Sequence, residues 1–224
     1  RMGVRRPERV GNTRYARLCV AGRLMGHNTE GRKRRAPLGR RIAQALLRRT
    51  GWRAGPLPDI DRAVIAGGPH TSNWDGVLAL VSRSALQQDV NVMIKHSLFK
   101  GPLGWLLRKL GAMPIERGKS GGMVEQTVAQ FRQRDKLLIA VTPEGTRSNA
   151  EQWKLGFYHI AKQANVPIIL ALADYKAKTF SFPVVIYPSD DMEADLQQIY
   201  AHFASATPKH PSKLSGPVRA HYGK

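Results

Sequence analysis

Beyond the Gly51–Pro58 linker, short apolar runs alternate with segments of helical period, and no other feature restricts the fold so tightly. Ala63–Ala66, Val90–Ile94, Ala112–Ile115, Leu137–Val141 and Val166–Ala173 are apolar and of strand length. Between them Trp74–Gln88, Leu103–Leu110, Gly122–Arg134 and Phe157–Gln163 have helical spacing, clearest where Val124, Val128 and Phe131 share one side. Strands separated by helices favour parallel pairing with helices packed on the sheet. The expected fold class is therefore α/β, a single domain with a mostly parallel central sheet flanked by helices. Phe180–Tyr187 contains Pro183, which cannot donate to a ladder, so an edge strand or a bent hairpin is predicted there. Asp190–Ala204 reads as a terminal helix.

In open α/β sheets, sites gather at the carboxyl ends of strands. His70 follows one predicted strand, Arg117 another, and Thr142-Pro143-Glu144-Gly145-Thr146-Arg147 a third, so three polar clusters should converge on one rim. The first lies in Gly67-Gly68-Pro69-His70-Thr71-Ser72-Asn73-Trp74-Asp75. Histidine is the common general base, and a carboxylate beside it fixes the tautomer. Residues five apart on a helix lie about 140° from one another. His70 and Asp75 can therefore meet only with His70 in the turn and Asp75 in the first helical turn, and Gly67 and Gly68 are expected to supply the freedom. Backbone N–H groups of Thr71 to Asn73 are then candidate oxyanion donors. On these residues alone a second reading stands beside the first: His70 as a turn residue and Asp75 as an acid favoured by the helix dipole.

Charge is unevenly spread. Of the net +20, residues 1–53 hold 16 Lys and Arg against Glu8 and Glu30 only, leaving the remainder modestly basic. Residues 1–40 have no sustained period and too little apolar surface to offset ordering, so they are expected to form a basic, disordered extension to a domain at 41–224. Such an arm attracts polyanions, whether nucleic acid or an anionic membrane face. Arg40–Trp52 sets Ile42, Leu46 and Leu47 against Arg41, Arg48 and Arg49, a helix with a basic face that lies on the domain surface or on a membrane. No run approaches the roughly 18 apolar residues of a spanning helix, and no secretory signal is visible. A single cysteine, Cys19, provides no disulfide framework. The expected location is cytoplasmic, with peripheral contact at the membrane face.

Four ordered blocks resemble the glycerolipid acyltransferase family, the 1-acyl-glycerol-3-phosphate acyltransferases and their relatives. His70-Thr71-Ser72-Asn73-Trp74-Asp75 is similar to its first block, a histidine and an aspartate with four residues between. Gly111-Ala112-Met113-Pro114-Ile115-Glu116-Arg117 is similar to the second, Pro143-Glu144-Gly145-Thr146-Arg147 to the third, and Val166-Pro167-Ile168-Ile169-Leu170 to the fourth. The resemblance covers roughly Asp59 to Pro188. Pro69 stands where an asparagine is frequent, and Met113-Pro114 replaces the usual aromatic.

The resemblance implies transfer of a fatty acyl group from acyl-CoA or acyl carrier protein, as substrate rather than cofactor, to a hydroxyl of a lysophospholipid-type acceptor. His70 and Asp75 would be catalytic. Arg117 and Arg147 would clamp a phosphate on the acceptor, Glu144 would hold Arg147 or an acceptor hydroxyl, and Gly145 and Thr146 would complete that binding block. Lys95 and Lys154 are weaker candidates for anion contact. Trp74, Trp105, Trp153 and Phe157 are expected in the core or lining an acyl pocket rather than stacking on bases, so nucleic acid is not the expected partner. No histidine pair has metal-binding spacing, and neither a P-loop nor a dinucleotide fingerprint is present, so no metal or cofactor is expected. The alternative of a different class is a non-catalytic basic module for anionic lipid or nucleic acid, built on the same fold.

Overall fold

The structure, a computed structural model, describes residues 37–95, 99–102, 104–105, 112–115 and 122–223, and of 93–95 and 112–115 the backbone alone. The chain divides into two units, Arg1–Arg35 and Ala36–Lys224, and only the second contains described residues. The expected extension and most of Leu103–Leu110 lie outside the described residues.

Helix α1 (Leu38–Thr50) ends where Gly51 takes φ +75°, with Gly51 and Trp52 N–H groups closing onto Arg48 and Leu47 carbonyls. Then follow β1 (Arg53–Ala54), β2 (Arg62–Gly68), α2 (Asn73–Leu86), β3 (Val90–Lys95), β4 (Ala112–Ile115), α3 (Met123–Arg132) and β5 (Leu137–Val141). Helix α4 (Gly156–Ala164), β6 (Ile168–Asp174), β7 (Thr179–Ile186), α5 (Met192–Ala204), a 3₁₀ turn at Pro211–Lys213 and α6 (Gly216–Arg219) complete the order. Each predicted strand is present within a few residues. Three elements were not foreseen: β1, inside the supposed linker, and the two short helical pieces after Ala204.

The sheet has the order β1-β7-β6-β2-β5-β3-β4, and every neighbouring pair is parallel except β6 and β7. That is the mostly parallel α/β architecture expected. The β6–β7 hairpin breaks register between Leu170 and Leu172, opposite Phe182-Pro183, where a residue without an N–H costs no ladder bond. Strand alternation sorts the core into two layers. Val64, Ala66, Ile139, Ile168 and Leu170 face α4 and α5. Ala63, Ile65, Ile169, Ala171 and Ala173 face α1 and α2 through Ala43, Leu47, Leu78 and Ala85. On the first face Trp153 stands edge-on to Tyr200 with centroids 4.8 Å apart and bonds Ser215 Oγ at 2.9 Å, tying the last helical piece to the core.

The order also explains where a site forms. From β2 the chain crosses on one face, through α2, to β3 beyond β5. From β5 it crosses on the other face, through α4, to β6 on the far side of β2. Adjacent strands that send their connections in opposite directions leave a crevice at their carboxyl ends. His70 follows β2 there, and Glu144 follows β5.

Gly67 and Gly68 are the last residues of β2, with no left-handed backbone to accommodate, so the freedom expected of them is not what the turn uses. Space is the constraint at Gly68. A Cβ there would lie 3.1 Å from the buried Phe203 ring and 3.4 Å from Glu144 Oε1. Gly68→Ala is therefore expected to destabilise the domain by about 1–3 kcal/mol, read as a lowered midpoint in thermal or urea unfolding.

Candidate active site

Helix α2 begins with Ser72 as N-cap, its Oγ accepting from Trp74 N–H at 3.2 Å. Asp75, three residues on, turns its carboxylate back over the helix start. There Oδ2 accepts from the N–H groups of Thr71 and Ser72, both at 2.8 Å, closing a capping box. The same Oδ2 lies 3.3 Å from His70 Nδ1, and Oδ1 accepts from Tyr175 Oη at 2.6 Å. His70 stands in the turn and Asp75 in the first helical turn, the one arrangement in which they can meet. The two sequence readings thus merge: Asp75 is the helix-capping acid and also the partner of the histidine.

Burial alone would raise the Asp75 carboxyl, but the hydrogen bonds from His70, Tyr175, Ser72 and Thr71 outweigh it and hold the group below the ordinary carboxylate range. Asp75 is thus an anion at neutral pH, and its Oδ2 is placed to accept a hydrogen bond from a proton on His70 Nδ1. The His70 side chain is 18% exposed against 9% for Asp75, so the ring is reachable while its partner is shielded.

Two of the three expected oxyanion donors, the N–H groups of Thr71 and Ser72, are already engaged in this geometry. Thr71 and Ser72 N–H groups point at Asp75, Trp74 N–H at Ser72, and His70 N–H at Glu144 Oε1, 2.7 Å away. The helix start is occupied by its own carboxylate.

Glu144 is 3% exposed and faces inward, bonding the His70 N–H and Ser215. Burial pushes its carboxyl up to about 7; the His70 N–H bond, the imidazole charge and Ser215 lower it, and the Asp75 charge raises it. Arg147, which Glu144 was expected to hold, instead donates from Nη1 to Asn73 Oδ1 at the first residue of α2. Gly145 takes φ +64° in the turn, and a Cβ on it would meet the Lys154 stem at 3.0 Å. Thr146 is exposed on the same loop. His70, Asp75, Glu144, Gly145 and Arg147 are therefore gathered at one rim. Arg117 and the Lys95 side chain lie outside the described residues.

Below the rim an apolar cavity of about 550 Å³ runs beside α2, from His70 and Gly76 past Ala79, Leu80 and Arg83 to Leu86 and Val90. Ile65, Val92, Ala171, Phe157 and Phe182 line it, and Lys154 stands with Gly145 along its wall. Gly76 to Leu86 spans about 15 Å of helix, enough for an extended alkyl chain. Phe157 fulfils its expectation, and Trp153 is in the core. Trp74 and Trp105 do not: each is 59% exposed, and neither lines the cavity. Among the described residues no group of three His, Cys, Asp or Glu is placed to hold a metal ion.

Sequence reasoning missed Tyr175 and Ser215. Tyr175 directly follows β6, whose carboxyl end shares the rim with β2, so the strand-end rule that found His70 extends to it. Ser215 has no such signal. The Glu144 environment predicts a pH effect. A carboxyl raised on folding contributes stability that is present below its unfolded value near 4.5 and is lost as pH rises through about 7. Glu144→Gln, which cannot ionise, should therefore gain on the parent between pH 5 and pH 8 by about 1–3 kcal/mol, measured as the difference in unfolding free energy.

The sequence model of the Acyltransferase family matches residues 54–171, just over half of the chain and spanning His70 to Arg147. The 1-acyl-sn-glycerol-3-phosphate acyltransferase of Streptococcus pneumoniae (strain ATCC BAA-255 / R6) is 31% identical over 115 residues, 50% of this chain and 42% of that protein. The chain thus spans under half the length of that curated relative. The crystal structure of the 1-acyl-sn-glycerophosphate (LPA) acyltransferase PlsC from Thermotoga maritima superposes with a TM-score of 0.51 at 14% identity, covering 70% of this chain and 72% of that one. At that identity the likeness speaks for the fold alone. By the extent of the family match, this chain belongs to the acyltransferase family.

Proposed function

We propose that the chain is an O-acyltransferase that moves a fatty acyl group from the thioester of acyl-CoA or acyl carrier protein to a hydroxyl of a lysophospholipid-type acceptor. One observation carries the reading: a buried, ionised Asp75 facing Nδ1 of a reachable His70 at the mouth of an apolar cavity. Nε2 of His70 takes the proton of the acceptor hydroxyl. The oxygen attacks the thioester carbonyl carbon, and the tetrahedral intermediate collapses with cleavage of the C–S bond. The leaving thiolate receives the proton from Nε2, so His70 ends as it began. Asp75 stabilises the imidazolium between the two steps, as the buried carboxylate does in a serine-protease triad. No acyl-enzyme forms.

The rest of the site supports the two substrates. The cavity beside α2 suits the acyl chain. Arg147, held at the start of α2 by Asn73, stands where it can pair with a phosphate on the acceptor, a task it would share with Arg117. Glu144 then serves the acceptor end indirectly, by holding the His70 turn.

Peripheral membrane contact completes the proposal. Among the described residues no helix is long and apolar enough to cross a membrane. Helix α1 exposes Leu38, Ile42 and Leu46 beside Arg41, Arg48 and Arg49, and α2 exposes Trp74, Val77 and Leu80. Both helices cover one face of the sheet, so their outward sides share a direction, and Leu80 also lines the cavity. Each arginine near an anionic surface contributes about 1 kcal/mol, and the basic segment before α1 would add to it.

His70→Ala is expected to reduce acyl transfer by about 10²–10⁴-fold with the fold retained, measured as acceptor-dependent thiol release from acyl-CoA with lysophosphatidate. Near-parental transfer would remove His70 from its role. Replacing Leu38, Ile42 and Leu46 together by Ser should release the protein from phosphatidylglycerol-containing vesicles in flotation. Unchanged flotation would assign the contact elsewhere.

A further inference from the structure

Tyr175 lies in the turn after β6 and belongs to none of the sequence blocks that mark the site. Its backbone N–H donates to Thr207 O at 2.8 Å, and the Trp52 ring stands edge-on to it with centroids 5.0 Å apart. These contacts, from two separate parts of the chain, aim the hydroxyl at Asp75 Oδ1, 2.6 Å away. Asp75 Oδ2 is already engaged by Thr71, Ser72 and His70. The Tyr175 hydroxyl therefore holds the other oxygen, and a carboxylate held at both oxygens cannot swing away from the imidazole.

We propose that Tyr175 is a positioning residue for acyl transfer, which fixes the Asp75 carboxylate against His70 and sets how strongly Asp75 supports the imidazolium. The proposal rests on the reading of His70 as the general base. It acts through Asp75, and Tyr175 itself need not touch substrate. Its hydroxyl sits in a buried setting beside the Asp75 charge, and both burial and that charge keep it protonated, so it remains a donor throughout the working pH range.

Other charged and titratable groups face the same site. Glu144 comes from the loop after β5, with Arg147 at Asn73 and Lys154 along the cavity wall. Arg83 comes from α2, and Lys209, with its Nζ 6.0 Å from the Tyr175 ring, comes from the C-terminal segment beside His210, whose N–H reaches Thr71 Oγ1. All of them stay in place when only the Tyr175 hydroxyl is changed.

The sign of the effect follows. A hydrogen bond to a carboxylate withdraws charge from it. Without the Tyr175 donor, Asp75 is the stronger acceptor, it supports the imidazolium better, and His70 keeps its proton to higher pH. Tyr175→Phe should therefore move the acid limb of the kcat/KM profile upward by about half a pH unit. It should also lower kcat several-fold through loss of alignment. Site-specific 3-fluorotyrosine at position 175, a stronger donor of nearly the same shape, should move the limb the other way.

The test measures both profiles with acyl-CoA and lysophosphatidate on the full chain, and follows the His70 ring by NMR titration in the same proteins. Opposite shifts from the two replacements, in the rate profile and in the His70 titration, are the expected result. Profiles that are lower but unshifted for both, with an unchanged His70 titration, would overturn the proposal. The fluorotyrosine protein keeps the test decisive should the phenylalanine variant fold poorly. If His70→Ala keeps its activity, the reading of His70 fails by that result, while the His70 titration still reports whether Tyr175 is coupled to the dyad.

Discussion

Everything at the rim depends on one buried carboxylate. Removing the charge of Asp75 from water costs several kcal/mol, and that cost is offset only because backbone N–H groups, a phenol and an imidazole all converge on its two oxygens. One of those donors is the N–H of Ser72, the N-cap of α2, and another is that of Thr71 just before it. The interaction that begins the helix is therefore the same one that orients the histidine. A chain that failed to cap α2 would lose the dyad as well, so local folding and site assembly here are a single event.

A second carboxylate, Glu144, has the opposite electrostatic character at the neighbouring strand-end of the rim. It is buried with fewer compensating donors, and it rises towards neutral pH where Asp75 is held down. Environments that push neighbouring carboxyls apart are how a site assigns different roles to chemically similar groups. Asp75 supports a proton on the imidazole. Glu144 holds the backbone of the turn and, through Ser215, the C-terminal segment that also anchors Trp153. The crevice between β2 and β5 brings both within reach of His70.

Much of this was legible in the residues. Continuous apolar runs such as Leu137–Val141 and the helical spacing of Val124, Val128 and Phe131 were enough for the strands and helices, because burial writes itself into local order. The separation of His70 from Asp75 even constrained which of them could be helical. Features made by tertiary packing were not legible. Glu144 turns inward to the His70 N–H and to Ser215, both far from it in sequence. The exposure of Trp74 follows from its place on the outer side of α2. The N–H groups of Thr71 and Ser72 looked available to an oxyanion only until Asp75 was placed beside them. Tyr175 lay within reach of the strand-end rule, but the predicted strand stopped at Ala173, and the residues just past it were not weighed.

In the proposed reaction, Asp75 decides which nitrogen of His70 is the base. The most direct measurement is the ¹⁵N chemical shifts of the His70 ring in the full chain, recorded at a pH where the ring is neutral. A protonated Nδ1 and a bare Nε2 are predicted, with the Nδ1 proton lost to exchange or the tautomer mixed once Asp75 is replaced by Ala. A neutral ring carrying its proton on Nε2 in the parent protein would contradict the account, because the lone pair would then face the carboxylate and no base would face the cavity.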